Sequence, residues 1–282
     1  MNALPKWDLL CISLDRAADS TGKSVEGALV LADTAAVFSD ADAAALYDLL
    51  NPWAPDRHPG DRFYDNLVMA ADAVLDVGCG TGAMLHLARE QGHPGRLVGL
   101  DPDRAALDRA RRRADIEWIE GTAAQARSGA GFDLATMTGH AFQFLVTDEE
   151  LRASLAAIHG ALRRGGRFVF ETRHPQARAW EGWNASSPDD VVDLVDTDGR
   201  ALRVWHEVDS VIGDVVTFHG TTAARDGTVL RIDHASLRFL DVEALNDFLA
   251  GAGFAIEAQY GDWHGGAIDA NSREIISVAC RK

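Results

Sequence analysis

Apolar positions along the chain follow two patterns. Between residues 73 and 171, short all-apolar runs alternate with segments of helical spacing. Strands are predicted over Ala73–Val77, Leu97–Leu100, Ile116–Ile119, Phe132–Met137 and Arg167–Glu171. Helices are predicted over Ala83–Gln91, Arg104–Arg113 and Glu149–Leu162, with RRGG turning the last of these into the strand that follows. Uninterrupted apolar runs suit strands covered on both faces, and strand–helix alternation implies a parallel sheet with helices on both sides. After Pro175 the pattern changes. Ala201–Ser210, Val215–Thr222 and Thr228–Phe239 are rich in β-branched and aromatic residues and are separated by GD and DG turns, which predicts an antiparallel meander. A helix over Val242–Ala252 and strands near Phe254–Tyr260 and Glu274–Cys280 complete the pattern.

Upstream, Gly27–Leu50 reads as helical, with Ser39 as an N-cap and Ala43, Leu46, Tyr47 and Leu50 at helical spacing. A proline-punctuated loop, Asn51–Gly60, precedes a short helix around Phe63–Met69. The expected fold is α/β, a doubly wound and mostly parallel sheet. At 282 residues it is expected as one domain: an N-terminal helical cap over 1–70, a core over 71–172, a β-insertion over 173–240 and the rest of the core over 241–282.

Charge narrows the partners. A formal charge of -16, spread along the chain, repels phosphate backbones and anionic membranes, so a small molecule is expected rather than nucleic acid or membrane. The basic run Arg109–Arg113 lies in a helical stretch among acids and reads as a solvated helix face. Cys11, Cys79 and Cys280 form no CxxC pair, which fits a reducing cytoplasm. The apolar patch LLCISL is too short, and too charged at its edges, for an export signal. A monomer or a homodimer is expected.

The candidate chemistry starts at AVLDVGCGTGAM, Ala73–Met84. Gly78, Gly80 and Ala83 satisfy the loose dinucleotide pattern G-x-G-x-x-[GA]. However, the turn is tighter, G-x-G-x-G, and Asp76 precedes its first glycine by two residues. A carboxylate there would face a diphosphate at close range, whereas a ligand with a cationic amine and no phosphate suits it. Asp101, in LVGLDP, stands twenty-three residues after Gly78, near the spacing of a ribose-binding acid; the other reading is an N-cap for the helix near Arg104.

VLDVGCGTG resembles the first motif of the class I S-adenosylmethionine-dependent methyltransferases. The resemblance covers about Tyr47–Glu171 and Ser236–Arg281 and implies a seven-stranded sheet. It also implies S-adenosyl-L-methionine as methyl donor and S-adenosyl-L-homocysteine as product. In that family the aspartate holds the methionine amino group and the glycines let backbone lie against the methionine and ribose. Those roles fall on Asp76, Gly78, Gly80 and Gly82, with Cys79 at a small-residue position of the turn, and Asp101 with Pro102 next to it takes the ribose. Many relatives place an acid for adenine after the third strand. This chain reads WIEGTAAQA there, which puts Thr122 and the backbone of Ala123 at that position. FDLATMTGHAFQFL resembles the fourth motif, placing Thr138 and Gly139 near the methionine and His140 and Gln143 at the mouth. The acidic cluster of the metal-dependent catechol methyltransferases is absent, and no metal is expected.

The N-terminal helices, with Tyr47 and Tyr64, and the insertion are expected to close over the carboxyl ends of the strands, where ligands bind in open α/β sheets. Trp180, Trp183, Trp205 and Phe218 either line an acceptor pocket or pack the insertion's core. Three residues are candidates for catalysis. Glu171 ends its strand at the same edge and can orient an acceptor or take its proton; its alternative is a structural pairing with Arg173 or another arginine. His174 is either a second such group or the residue before Pro175 in an extended turn. His140 is either a substrate contact or a helix cap. The competing functions are a nicotinamide-dependent oxidoreductase, disfavoured by Asp76 and the glycine spacing, and a cofactor-binding scaffold without turnover.

Overall fold

The computed structural model describes residues 38–282. The expected helical stretch before residue 38, Cys11 and the LLCISL patch lie outside the described residues. Its helices are α1 (Asp40–Leu50), α2 (Pro59–Met69), α3 (Ala83–Glu90), α4 (Arg104–Ala110), α5 (Asp148–Ala161) and α6 (Val242–Gly251). Its strands are β1 (Ala73–Val77), β2 (Arg96–Asp101), β3 (Glu117–Glu120), β4 (Phe132–Met137), β5 (Leu162–Arg173), β6 (Val192–Val195), β7 (Ala201–Ile212), β8 (Val215–Ala224), β9 (Val229–Arg238), β10 (Phe254–Tyr260) and β11 (Glu274–Arg281). Ser39 caps α1 in a reciprocal box with Asp42, as its sequence position implies.

Seven strands form one sheet in the order β10-β11-β5-β4-β1-β2-β3, with β11 antiparallel to both of its neighbours and the other pairings parallel. Helices cover both faces. Leu75, Val77, Ala135, Met137, Phe168 and Phe170 pack with α5 and α6 residues such as Leu151, Leu155 and Leu245. Val74, Leu134 and Val169 pack on the opposite face with Tyr64 and Val68 of α2. The continuous apolar runs in β1, β4 and β5 thus reflect burial on both sides.

A second sheet, β6-β7-β8-β9, is antiparallel throughout and leaves the first after β5. Its inward positions Leu202 and Val204 pack on Phe38, Ala43 and Leu46 of the α1 region. Ion pairs Arg200–Asp42 and Arg231–Asp40 reinforce that contact.

The structure corrects several boundaries. Strand β6 joins the three-stranded meander as a fourth, edge strand. The RRGG turn lies inside β5: Leu162 pairs with Phe132 and Arg167 with Leu134, so the four residues between loop out of the ladder. Helix α4 stops at Ala110, before the last three arginines of the basic run. Arg109 of that run is not simply solvated, since its guanidinium donates to Asp48 of α1 at 2.9 Å. Among the described residues, no helix is long and apolar enough to cross a membrane.

Candidate active site

Strand alternation places the polar groups. On the α2 face, the pair Val74 and Leu134 is followed, one step nearer the carboxyl edge, by the row Asp76, Thr136 and Val169, and Glu171 lies one step beyond Val169 on β5. The Thr136 hydroxyl donates to Asp76 Oδ1 at 2.9 Å, and both residues are buried. The acid inside an apolar strand is therefore buried near the carboxyl edge of the sheet, held by a neighbouring strand. Burial pushes its carboxyl up to about 7, against the Thr136 hydrogen bond and reinforced by the charges of Asp101 and Glu171.

The glycine loop runs from β1 over the end of β2. Gly78 and Cys79 both donate their backbone N–H groups to the Leu100 carbonyl, at 2.7 and 3.3 Å. Gly78, Gly80 and Gly82 hold φ values of 72°, 54° and 79°, a left-handed conformation that a side chain would strain. At Gly78 a Cβ would also stand 2.9 Å from the Ala141 Cβ. At Gly80 no protein atom lies within 4 Å of that position, so its backbone borders open space.

Asp101, at the end of β2, accepts from Gly80 N and Asp103 N, each at 2.7 Å. The cap of α4 is Asp103, which accepts from Ala106 N, so Asp101 is not spent as the N-cap that its position allowed. Burial pushes the Asp101 carboxyl up to about 6, against those two N–H groups. Each of its oxygens retains a second lone pair for a ligand hydroxyl.

Glu171 is the third buried acid. Its Oε2 accepts from the Tyr64 hydroxyl and its Oε1 from His140 N at 3.1 Å. Burial raises its carboxyl above the usual range, with His140 and Tyr64 opposing the rise. Burial and the adjacent Glu171 hold the Tyr64 phenol well above its ordinary value, which keeps it a donor. Arg173, the arginine that the alternative reading paired with Glu171, donates to the Gln143 carboxamide at 3.1 Å. His140 adopts φ 60° at the start of a 3-10 turn, and its Nε2 lies 2.8 Å from Glu274 Oε2 on β11. Its side chain caps nothing.

The remaining candidates divide. Tyr47 of α1 reaches the loop after β4, its hydroxyl 3.6 Å from where a Gly139 Cβ would stand. Thr138 and Gly139 sit half-buried in that loop. Tyr64 is buried among Trp53, Phe63 and Trp263 and touches Glu171. Cys79 packs with Leu107, Ala110 and Trp118. Burial pushes its thiol up, away from reactivity. Thr122 and Gln125 form a reciprocal cap for the turn at Ala123–Gln125, and Pro102 is exposed. His174 is buried but turned to local use, its Nδ1 accepting from Gln176 N at 3.1 Å. Trp183 and Phe218 are core of the insertion with Phe239, and Trp180 packs on Phe239. Trp205 is on the outer face, donating to Glu207 at 3.0 Å.

Four contacts were beyond reach of the sequence reading: Tyr64 on Glu171, Glu274 on His140, and Asp48 on both Thr81 and Arg109. Each joins residues far apart in sequence, and no local spacing signals them.

The profile of a family described as a methyltransferase domain matches residues 74–166, which span the glycine loop, both strand-end acids of β1 and β2, and β4. The chain carries a class I S-adenosylmethionine-dependent methyltransferase domain. The methyltransferase is 26% identical to a cypemycin N-terminal methyltransferase of a Streptomyces species over 212 residues, 74% of this chain and 83% of that one. It is 33% identical to dTDP-3-amino-3,4,6-trideoxy-alpha-D-glucopyranose N,N-dimethyltransferase of Streptomyces venezuelae over 141 residues, 49% of this chain and 56% of the relative. Its fold superposes on the CcbJ methyltransferase of Streptomyces caelestis with a TM-score of 0.65 at 20% identity, covering 81% of this chain and 91% of the other. Its cofactor is S-adenosylmethionine, and the nicotinamide alternative falls away. The residues present fit that cofactor: open space beside Gly80, whose N–H holds the buried Asp101, and a second buried acid, Asp76, on the neighbouring strand suit a molecule with a ribose and a cationic amino acid end.

Proposed function

We propose that the methyltransferase methylates an amine nitrogen of a small molecule, with Asp76, Asp101 and Glu171 dividing the work. The observation that carries the proposal is their placement: three buried carboxylates at the carboxyl ends of β1, β2 and β5, near enough that the charges of Asp101 and Glu171 act on Asp76, in a chain of charge -16. Such an edge draws cations and repels phosphate. The printed names of the two relatives, an N-terminal methyltransferase and an N,N-dimethyltransferase, point to nitrogen as well.

S-adenosylmethionine, when bound, supplies a methyl group on a positively charged sulfur. Asp76 would hold its amino group, Asp101 its ribose hydroxyls, and Gly78, Gly80 and Gly139 let backbone approach. Thr122 and Ala123 would flank the adenine, with Pro102 beside the ribose. Glu171 would take the acceptor's proton as the nitrogen lone pair forms the N–C bond and the S–C electron pair returns to sulfur. Burial, which raises its proton affinity, favours that role. Tyr64 and the His140 backbone fix the carboxylate, so its orientation is set before the acceptor arrives. The insertion would cover the acceptor from above, since Gln143 after β4 donates to the Arg238 carbonyl at 3.0 Å and α1 bridges the glycine loop to β7. His174, engaged locally, would shape the entry to the insertion.

The test is release of S-adenosylhomocysteine with a panel of small primary and secondary amines, matched alcohols, and bulk tRNA at physiological salt. Turnover confined to the amines is the expected result. Turnover on alcohols alone, or robust tRNA methylation, overturns the proposal.

A further inference from the structure

We propose that the outer face of the insertion's sheet carries a divalent transition-metal site, formed by Asp209, His219 and His234 and fitted to zinc. One donor atom from each of the three lies within 4.8 Å of the other two. His219 and His234 are direct cross-strand partners on β8 and β9, their ring centroids 5.5 Å apart. On the other flank, His219 is paired with Glu207 of β7, so three strands present one row of ligating side chains to solvent.

The third ligand reaches that row through an irregularity. The β7–β8 register shifts between Val208 and Ser210, which leaves Asp209 as the extra residue of a bulge. A bulge re-aims a side chain and is a built feature of a sheet rather than a defect. Here it turns the carboxylate toward both imidazoles: Asp209 Oδ1 is 2.8 Å from His219 Nδ1, and Oδ2 is 3.6 Å from His234 Nδ1. Glu207 Oε2 stands 3.5 Å from the other nitrogen of His219. With Nδ1 of His219 on a metal, that carboxylate would accept the remaining ring N–H, the usual support for a ligating histidine. The Trp205 indole N–H, 3.0 Å from Glu207 Oε2, steadies Glu207 in turn.

The donor set selects the ion. Two imidazoles and a carboxylate suit zinc and its neighbours and discriminate against magnesium and calcium, which take oxygen cages. Three protein ligands leave a fourth position for water. Zinc–nitrogen distances of about 2.0–2.1 Å require the three side chains to re-orient around the ion, with His219 half-buried and Asp209 and His234 exposed. Without an ion, the arrangement is a hydrogen-bonded pair of histidines and acids on a sheet surface, and zinc would not distinguish it from the rest of the protein. The site stands apart from the strand-end acids of the first sheet, so it pins β7, β8 and β9 together and takes no part in methyl transfer.

The experiment is zinc titration of the untagged full chain by calorimetry, with His219→Gln, His234→Gln and Asp209→Asn in parallel, and with melting curves in zinc and in chelator. His234 is 59% exposed at its side chain, so its replacement leaves the sheet intact. One equivalent of zinc bound by the parent, at least tenfold weaker binding in all three variants, and a zinc-induced rise in melting temperature that only the parent shows are expected. Equal zinc binding by parent and variants, or none by the parent in the micromolar range, overturns the site.

Discussion

The hydroxyl of Tyr64 on α2 donates to the carboxylate of Glu171 at the end of β5, across 107 residues of sequence. Two elements that share no local signal thereby set the orientation of one acid. Glu171→Gln keeps the shape and removes the proton acceptor, so turnover should fall by about 10²–10⁴-fold. Cofactor affinity and melting temperature should stay near those of the parent. Tyr64→Phe, which only loosens the carboxylate, should cost less turnover and move the pH profile. A loss below about fivefold in Glu171→Gln assigns Glu171 a structural role.

Asp101 should dominate ribose recognition. Asp101→Ala removes a charged acceptor and also frees Gly80 N, so S-adenosylhomocysteine binding should weaken by about 1.5–3 kcal/mol. Calorimetry with the variant reads this directly, and unchanged affinity would remove Asp101 from the site.

Cofactor binding should depend on pH. The Asp76 and Asp101 carboxyls are pushed up to about 7 and about 6 in the free protein. A cation beside Asp76, and ribose hydroxyls donating to Asp101, favour the ionised forms, so binding releases protons. Affinity for S-adenosylmethionine should therefore fall as pH drops through about 7 and further through about 6. Titrations in buffers of different ionisation heat, at pH values spanning that window, measure the released protons. A flat affinity across it contradicts the electrostatic account.

The same acid carries a stability cost. An unfolded aspartate has a pKa of about 3.9, whereas folded Asp76 has one of about 7. Between those values the folded state binds more protons than the unfolded state, so the Asp76 contribution to stability falls as pH rises through the window. Asp76→Asn removes the buried charge and keeps a group for the Thr136 hydroxyl. It should melt about 2 °C or more above the parent at pH 7.5, differ little near pH 4, and bind S-adenosylmethionine poorly. A lower melting temperature at pH 7.5 would show that the carboxylate has a cation-like partner in the fold.

Much of this was legible in sequence where one signal dominated. The apolar runs Ala73–Val77, Phe132–Met137 and Phe254–Tyr260 match β1, β4 and β10 residue for residue, because burial on both faces or a clear turn bounds each. Asp76, Gly78, Gly80 and Asp101 could be singled out because the loop's chemistry is local. Strand β6 escaped notice because four residues with an alternating acid, at a sheet edge, look like loop. The aromatic residues of the insertion could not be sorted between pocket and core, since a period-two pattern gives a face but not what covers it. Trp205 and Phe218 carry similar signals and lie on opposite faces. The partners of Glu171 were beyond reach, since the sequence shows where a carboxylate sits along its strand and not which distant hydroxyl meets it.

The place of β11 between β5 and β10 has a consequence for how the enzyme comes into being on the ribosome. This strand is synthesised after every other strand of the sheet, yet it inserts beside β5, the one that ends in Glu171. Until it emerges, β5 has a bare edge, β10 has no partner, and His140 lacks Glu274. The cofactor half, β1 to β4, has all its pairings long before then. A nascent chain would thus complete the pairings of β1 to β4 first and the surroundings of Glu171 and His140 last.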